Sequence, residues 1–289
     1  TAIAMGGPGA IFWMWVAAFL GMATIFAEAV LAQLFKHKEP DGRVVGGPAF
    51  YIMNGLHNKP LAVFFSISLI IALGFIGNAV QTNSISDACN VAFGWNKLYV
   101  GIALAALGAY VFFGGIGRIA SITEKLVPLM AGMYLLGGLF ILITHAGAIP
   151  HAFWMIFKGA FDPAAATGGL IGVSIKQAVR YGVARGLFSN EAGMGSTPHA
   201  HAVAKVAHPC NQGYAAIVSV FIDTFCVLNM TAFVIFVTGA IDGHTSGIAL
   251  TQKAFSIGLG TLGVPFVALC LFFFAFSTVI GWYFYGEQN

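Results

Sequence analysis

"RGLFSNEAGMGSTPHAHA", residues 185–202, decides the fold. It sits in a chain that is 58% hydrophobic and 8% charged. A soluble globular chain carries about 25% charged residues, so the composition excludes a soluble fold and reads as a polytopic membrane protein. Within the quoted stretch Ser189, Asn190 and Glu191, with Gly186, Gly193 and Gly195, interrupt what the flanking apolar pattern would make a spanning helix. Backbone polar groups must be satisfied in hydrocarbon, so irregular backbone at membrane depth belongs where protein or water replaces lipid. The stretch therefore predicts a discontinuous helix, with opened carbonyls to hold a cation. The half-helix that follows would turn free N–H groups and a positive dipole end toward a carboxylate. A loop between two short hairpins is the alternative; the lack of a long polar loop on either side favours the broken helix.

Working outward, six apolar runs begin at Ala10, Leu61, Leu98, Leu126, Tyr214 and Val264. Each is read as long enough to cross a hydrocarbon core of about 30 Å at about 1.5 Å per residue. A weaker seventh, from about Gly168 to Val206, contains the quoted stretch. About seven spans, one of them broken, are expected. Lys36, Lys38, Arg43 and Lys59 cluster after the first run and place that loop in the cytoplasm. Alternation then puts Arg118, Lys125 and Lys205 inside, and Lys97, Lys158 and Lys253 outside. Segments 150–161 and 251–259 are too short to span and suit helices over the outer face, either lids or ordinary packed connections. Thr1 follows no basic leader, and both ends read as internal to a longer chain. A net charge of +3 is too small and scattered for nucleic acid. Cys89, Cys210, Cys226 and Cys270 have neither the spacing nor the clustering of a disulfide framework or zinc site.

Intramembrane polar groups mark the functional candidates. "GNAVQTNSISDACN", residues 77–90, continues the second run; helical spacing puts Gln81 with Ser84 and Asn83 with Asp87. It is equally readable as an interface-facing helix end. In "FAFSTVIGW", Ser277 and Thr278 are adjacent hydroxyls with Trp282 one turn beyond. Such hydroxyls usually bond back to their own helix, but two in succession followed by Trp suggest a lined cavity. Asp223 is a candidate proton or cation site; without a visible basic partner, a hydrogen bond to a neighbouring helix is preferred. Glu28, and Glu191 beside Arg185, read as structural pairs. His199, His201 and His208 share no face or acidic cluster and read as solvated or capping residues. "GLGTLG", residues 258–263, matches GxGxxG but has no strand before it, and reads as an outer turn.

These motifs closely resemble the alanine or glycine:cation symporters, also called sodium:alanine symporters. The resemblance covers nearly the whole chain: "GGPGAIFWMWVAAFLGMAT" (6–24), "VGGPAFYI" (45–52), "GNAVQTNSIS" (77–86), the quoted stretch, "HPCNQG" (208–213), "LTQKAF" (250–255) and "FAFSTVIGWYFYGE" (274–287). It implies an all-α core of the LeuT type, two inverted repeats whose first helices break near the midplane. Residues 1–289 would form one transmembrane domain truncated at both ends, 1–147 mostly the first repeat and 165–289 the start of the second. The implied function is secondary active transport, sodium-coupled symport of alanine or glycine into the cell by alternating access. A proton-coupled transporter of the same fold is the runner-up. The resemblance implies no covalent chemistry and no cofactor beyond Na+ as coupling ion. Its implied partners are the amino acid, Na+ and the bilayer of a bacterial or archaeal plasma membrane. Carried over, Gln81, Asn190, Gly193, Met194, Thr278 and Trp282 would contact substrate, with Phe188 and Ser189 beside them; Ser277 and Thr278 would serve sodium. Met194, His199 and Cys210 depart from the family's frequent choices, and Met194 would reshape the pocket slightly.

Overall fold

The computed structural model describes residues 1–40, 42–162 and 174–289. Among them the architecture is helical, apart from a short antiparallel ribbon pairing His37–Lys38 with Val44–Val45. A five-residue helix, α1 (Ala2–Gly6), leads into α2 (Ala10–Leu34). The basic ribbon follows, and Pro48 starts α3 (Pro48–Gly55). The Asn58 side chain then accepts the Leu61 N–H and caps α4 (Lys59–Leu69). This helix widens into a π-helical segment, Ile70–Gly77, and continues as α5 (Asn78–Phe93), which Gly94 ends in the left-handed conformation. Asn96 caps α6 (Lys97–Phe112), and α7 (Gly115–Thr144) and α8 (Ile149–Phe161) complete the first half.

In the second half a Ser174–Gln177 capping box opens α9 (Ile175–Asn190). After an irregular stretch come α10 (Pro198–Val203) and α11 (Pro209–Phe221). A second π-helical segment, Ile222–Leu228, leads into α12 (Asn229–Val237). The chain finishes with α13 (Gly247–Leu259) and α14 (Gly263–Glu287).

Among the described residues, five helices are long and apolar enough to cross a membrane: Ala10–Leu34, Lys59–Phe93, Gly117–Thr144, Pro209–Val237 and Gly247–Glu287. The run expected from Leu98 forms a helix of only 16 residues, about 24 Å long and short of a ~30 Å core. Of the run expected from Gly168, residues 168–173 lie outside the described residues, and the remainder is interrupted as the glycines predicted. Large apolar side chains face outward: Phe19 is 71% exposed, Phe75 70% and Phe113 92%. A surface of this kind is stable against lipid and not against water, so this is a multi-pass membrane protein.

Both short segments expected on one face are packed helices. Ala152, Ile156 and Ala160 of α8 are buried, as are Leu250, Ala254 and Phe255 of α13. "GLGTLG" forms the end of α13 and a 3-10 turn at Gly260–Leu262, as read from the sequence. In the interior, α2 packs along α9 and α11, while α14 packs along α5, α7 and α13. The interrupted stretch therefore faces both groups of helices.

Candidate functional site

The break is real and its local cause is legible. Helix α9 ends at Asn190 and Glu191 takes a left-handed conformation (φ 55°). Gly193 and Gly195 also have positive φ, 86° and 75°, which a side chain would resist. Helix resumes at Pro198, suited to a first helical turn because it needs no N–H there.

The freed N–H groups are largely taken within the protein. Asn190 Oδ1 accepts the Ala192 N–H at 3.1 Å, and the Glu191 carbonyl accepts that of Met194 at 3.1 Å. Glu28, reaching from α2, accepts the Gly193 N–H at 3.2 Å. A side-chain carboxylate thus already sits where the sequence suggested that the break would offer its amides to a ligand. Glu28 is a structural partner as expected; its partner is backbone.

Glu191 is placed differently from expectation. Its carboxylate pairs not with Arg185 but with Trp282 Nε1 (2.6 Å) and Ser196 Oγ (2.5 Å). The side chain is turned into the protein by the left-handed cap and meets α14. Arg185 instead lies over the Phe188 ring at 5.9 Å. Asp223 accepts the Ser189 hydroxyl on both oxygens, at 3.1 and 2.9 Å, which is the neighbouring-helix hydrogen bond the sequence favoured. Next along, Asn190 Nδ2 donates to Thr224 Oγ1 at 3.1 Å. Two consecutive residues at the break are thereby tied to two consecutive residues of the π-helical segment Ile222–Leu228. Single π turns inside α-helices are frequent at functional sites.

Beside the break lies a cavity of about 350 Å³. It brings together Gln81, Phe188, Ser189, Thr278 and Trp282 of the residues singled out from sequence. Asn190 is buried with its amide engaged on both sides. Gly193 and Met194 belong to the turn, Met194 being 37% exposed, and these three with Ser277 are not among the residues lining the cavity. Ser277 and Thr278 both donate to the Phe274 carbonyl, at 2.9 and 3.0 Å, the back-bonding usual for such hydroxyls. They diverge beyond that: Ser277 sits 3.7 Å from the sulfur of Met130, while Thr278 lines the cavity. Each oxygen keeps lone pairs with which to face a cation.

Trp282 is 2% exposed and forms one wall, edge-on to Phe188 with centroids 5.7 Å apart. Gly77 makes room for it; a Cβ there would lie 2.3 Å from the indole. The cavity also holds residues not singled out as ligands: Glu191, and Tyr134, whose hydroxyl lies 2.5 Å from Thr231 Oγ1. Thr231 donates to the Val227 carbonyl at 3.2 Å, so Tyr134 is the donor of the pair. A lone Tyr in the apolar run from Leu126 was the available signal, since a phenol buried in such a helix needs a partner.

A broken helix beside a small mixed-polarity cavity, with lipid-facing helices around both, defines a multi-pass membrane protein with an internal cavity of the kind that can take a small polar ligand. The model of the sodium:alanine symporter family matches residues 1–289, and the chain belongs to that family. It is a family of transporters, not enzymes. The chain is 46% identical over 288 residues to the amino-acid carrier protein AlsT of Bacillus subtilis, all of this chain matching 61% of that protein. It is 45% identical over 296 residues to the sodium/alanine symporter AgcS of Methanococcus maripaludis, covering 64% of it. To the probable sodium/glutamine symporter GlnT of Bacillus subtilis it is 41% identical over 291 residues, covering 59%. The chain thus spans about three-fifths of the length of these relatives.

Proposed function

We propose that the protein carrying this chain is a secondary active transporter that moves a small neutral amino acid, alanine or glycine, into the cell with Na+ by alternating access. The cavity beside the break carries this reading. At about 350 Å³ it lies near the lower end of the 300–1,000 Å³ typical of ligand sites, and it draws polar groups from α5, α9 and α14. Gln81, Thr278 and Trp282 contact the substrate, with Phe188 and Ser189 beside them. Asn190, Gly193 and Met194 act from the turn, setting its shape. Ser277 and Thr278 offer hydroxyl oxygens to Na+. The core is of the LeuT type, with residues 1–147 mostly in the first inverted repeat and 165–289 beginning the second. On that reading seven spans cross a bacterial or archaeal plasma membrane, α6 and the broken helix included. Na+ and substrate stabilise the same arrangement of the break, so each raises the other's affinity by the same factor, typically worth about 1–3 kcal/mol.

A sodium/alanine symporter and a probable sodium/glutamine symporter both stand among the relatives, so pocket size is what would separate the two substrates. Phe188 and Trp282 close one side of the cavity and favour the smaller side chain. A second reading, proton coupling, is favoured by Asp223, a carboxylate on the cavity wall whose partner among the described residues is the Ser189 hydroxyl. The deciding experiment is uptake of labelled alanine into proteoliposomes holding the protein at its full encoded length. Accumulation driven by an inward Na+ gradient at fixed pH, and lost in Ser277→Ala with Thr278→Val, is the expected result. Uptake that ignores Na+ and follows a pH gradient overturns the sodium reading and moves the coupling to Asp223.

A further inference from the structure

The cavity beside the break changes character along its length. Val267 and Thr278 both line it, and on α14 they lie about 16 Å apart at about 1.5 Å per residue. Gln81, Ser189, Asp223 and Thr278 make one end polar, beside Trp282. Ile248, Val267, Leu271 and Phe274 make the other end apolar. Tyr134 of α7 lines the apolar part, between α12, α13 and α14. Its hydroxyl is spent on Thr231 Oγ1, itself tied to the Val227 carbonyl, so it brings a ring to the wall in place of a free donor. Phe255 of α13 and Phe274 of α14 hold that ring at centroid distances of 5.4 and 5.6 Å. One aromatic side chain is thus fixed from three neighbouring helices.

A neutral amino acid has the same asymmetry. Its charged groups cost least where polar atoms partner them, so they stay with Gln81, Ser189, Asp223 and Thr278. Its side chain is left with the apolar end, and its length is limited by what stands there. Building on the transport reading above, we propose that Tyr134 is a specificity-determining residue, the stop against which the substrate's side chain is measured. Phe188 and Trp282 close the polar end; Tyr134 closes the other. The tether to Thr231 keeps the ring from swinging aside for a longer side chain, because the swing would strip a buried phenol of its acceptor.

The test is uptake of labelled alanine and of labelled leucine by proteoliposomes holding the full encoded protein, as wild type, Tyr134→Ala and Tyr134→Phe. The readout is the ratio of kcat/KM for the two amino acids, since a general loss of folding or turnover lowers both alike. A single methylene in an apolar pocket is worth about tenfold or more in such a ratio, and wild type is expected to prefer alanine by at least that. Tyr134→Ala is expected to shift the ratio about tenfold or more towards leucine. Tyr134→Phe, which keeps the ring and loses the tether, is expected to shift it far less. Should Tyr134→Ala fail to assemble, Tyr134→Leu takes its place, with the same direction expected. A ratio unchanged in the shortened variant overturns the proposal. So does a shift in Tyr134→Phe as large as that in Tyr134→Ala, or a wild type that takes leucine as readily as alanine. Wild type that accumulates neither amino acid under any gradient removes the transport reading and the proposal with it, a result distinct from a selective wild type with indifferent variants.

Discussion

Asp242 and Glu191 are carboxylates on the same chain, and their surroundings are opposite. Asp242, in the connection between α12 and α13, accepts hydrogen bonds from Lys253 Nζ at 2.9 Å, from the Thr245 hydroxyl and from two backbone N–H groups. The Lys253 ammonium, then Thr245 and the His244 backbone, hold its carboxyl well below the usual carboxylate range. Glu191 is 8% exposed and, among the described residues, accepts an indole N–H and a hydroxyl. Outside the membrane a carboxylate is neutralised by a neighbouring lysine. Inside, the partners of Glu191 carry no charge. A charge withdrawn from water is stable only when paired or fully hydrogen-bonded, and Glu191 has two uncharged donors in place of a counter-charge.

The largest expected effect comes from breaking the buried member of the pair. Glu191→Ala leaves the Trp282 indole and the Ser196 hydroxyl without acceptors, each at about 1–3 kcal/mol. Alanine uptake is expected to fall by about a hundredfold or more, with a lowered melting temperature in detergent. Uptake within a factor of two of wild type would show that the indole finds another acceptor. Gly77→Ala comes next: overpacking of this kind costs about 1–3 kcal/mol, and the displaced Trp282 should raise KM more than it lowers protein yield. Asp223→Asn sharpens the comparison, because the amide oxygen still accepts from Ser189 while the charge is gone. We expect Na+-driven uptake to persist at a few-fold lower rate; abolition of coupling would favour the proton reading.

Asp242→Asn should be the mildest, with uptake unchanged. Its sign with pH is fixed by the depressed folded value. The stabilisation is complete above the ordinary carboxylate range and is lost only as pH falls through the depressed value. Thermal melts of wild type between about pH 6 and 8 should therefore show no slope from this group. A slope in wild type that vanishes in Asp242→Asn would contradict the clasp.

Much of the site was legible locally. Gly193 and Gly195 announced the break because only glycine takes positive φ without cost. The hydroxyl pair and Trp282 stood out because polar groups are rare in such a helix. Other features had no local signal. Ser189 meets Asp223 across 34 residues, and Asn190 meets Thr224 across another 34. Spacing along one helix cannot report a partner on the next. Met194 looked like a pocket residue by its place in the motif, yet the direction of the turn leaves it partly exposed. The π-helical segments Ile70–Gly77 and Ile222–Leu228 were equally hidden, since their apolar composition does not differ from that of the α-helices they continue.

The sequence by itself determined that the chain lives in a membrane, where its helix must break, and which polar residues need company, because hydrocarbon penalises every unpaired group. Only the tertiary structure decided who the companions are. It gave the Glu191 carboxylate to Trp282 instead of Arg185 and the Gly193 N–H of the break to Glu28. Those choices depend on the angle at which the broken helix meets α2, α11 and α14, and packing sets that angle.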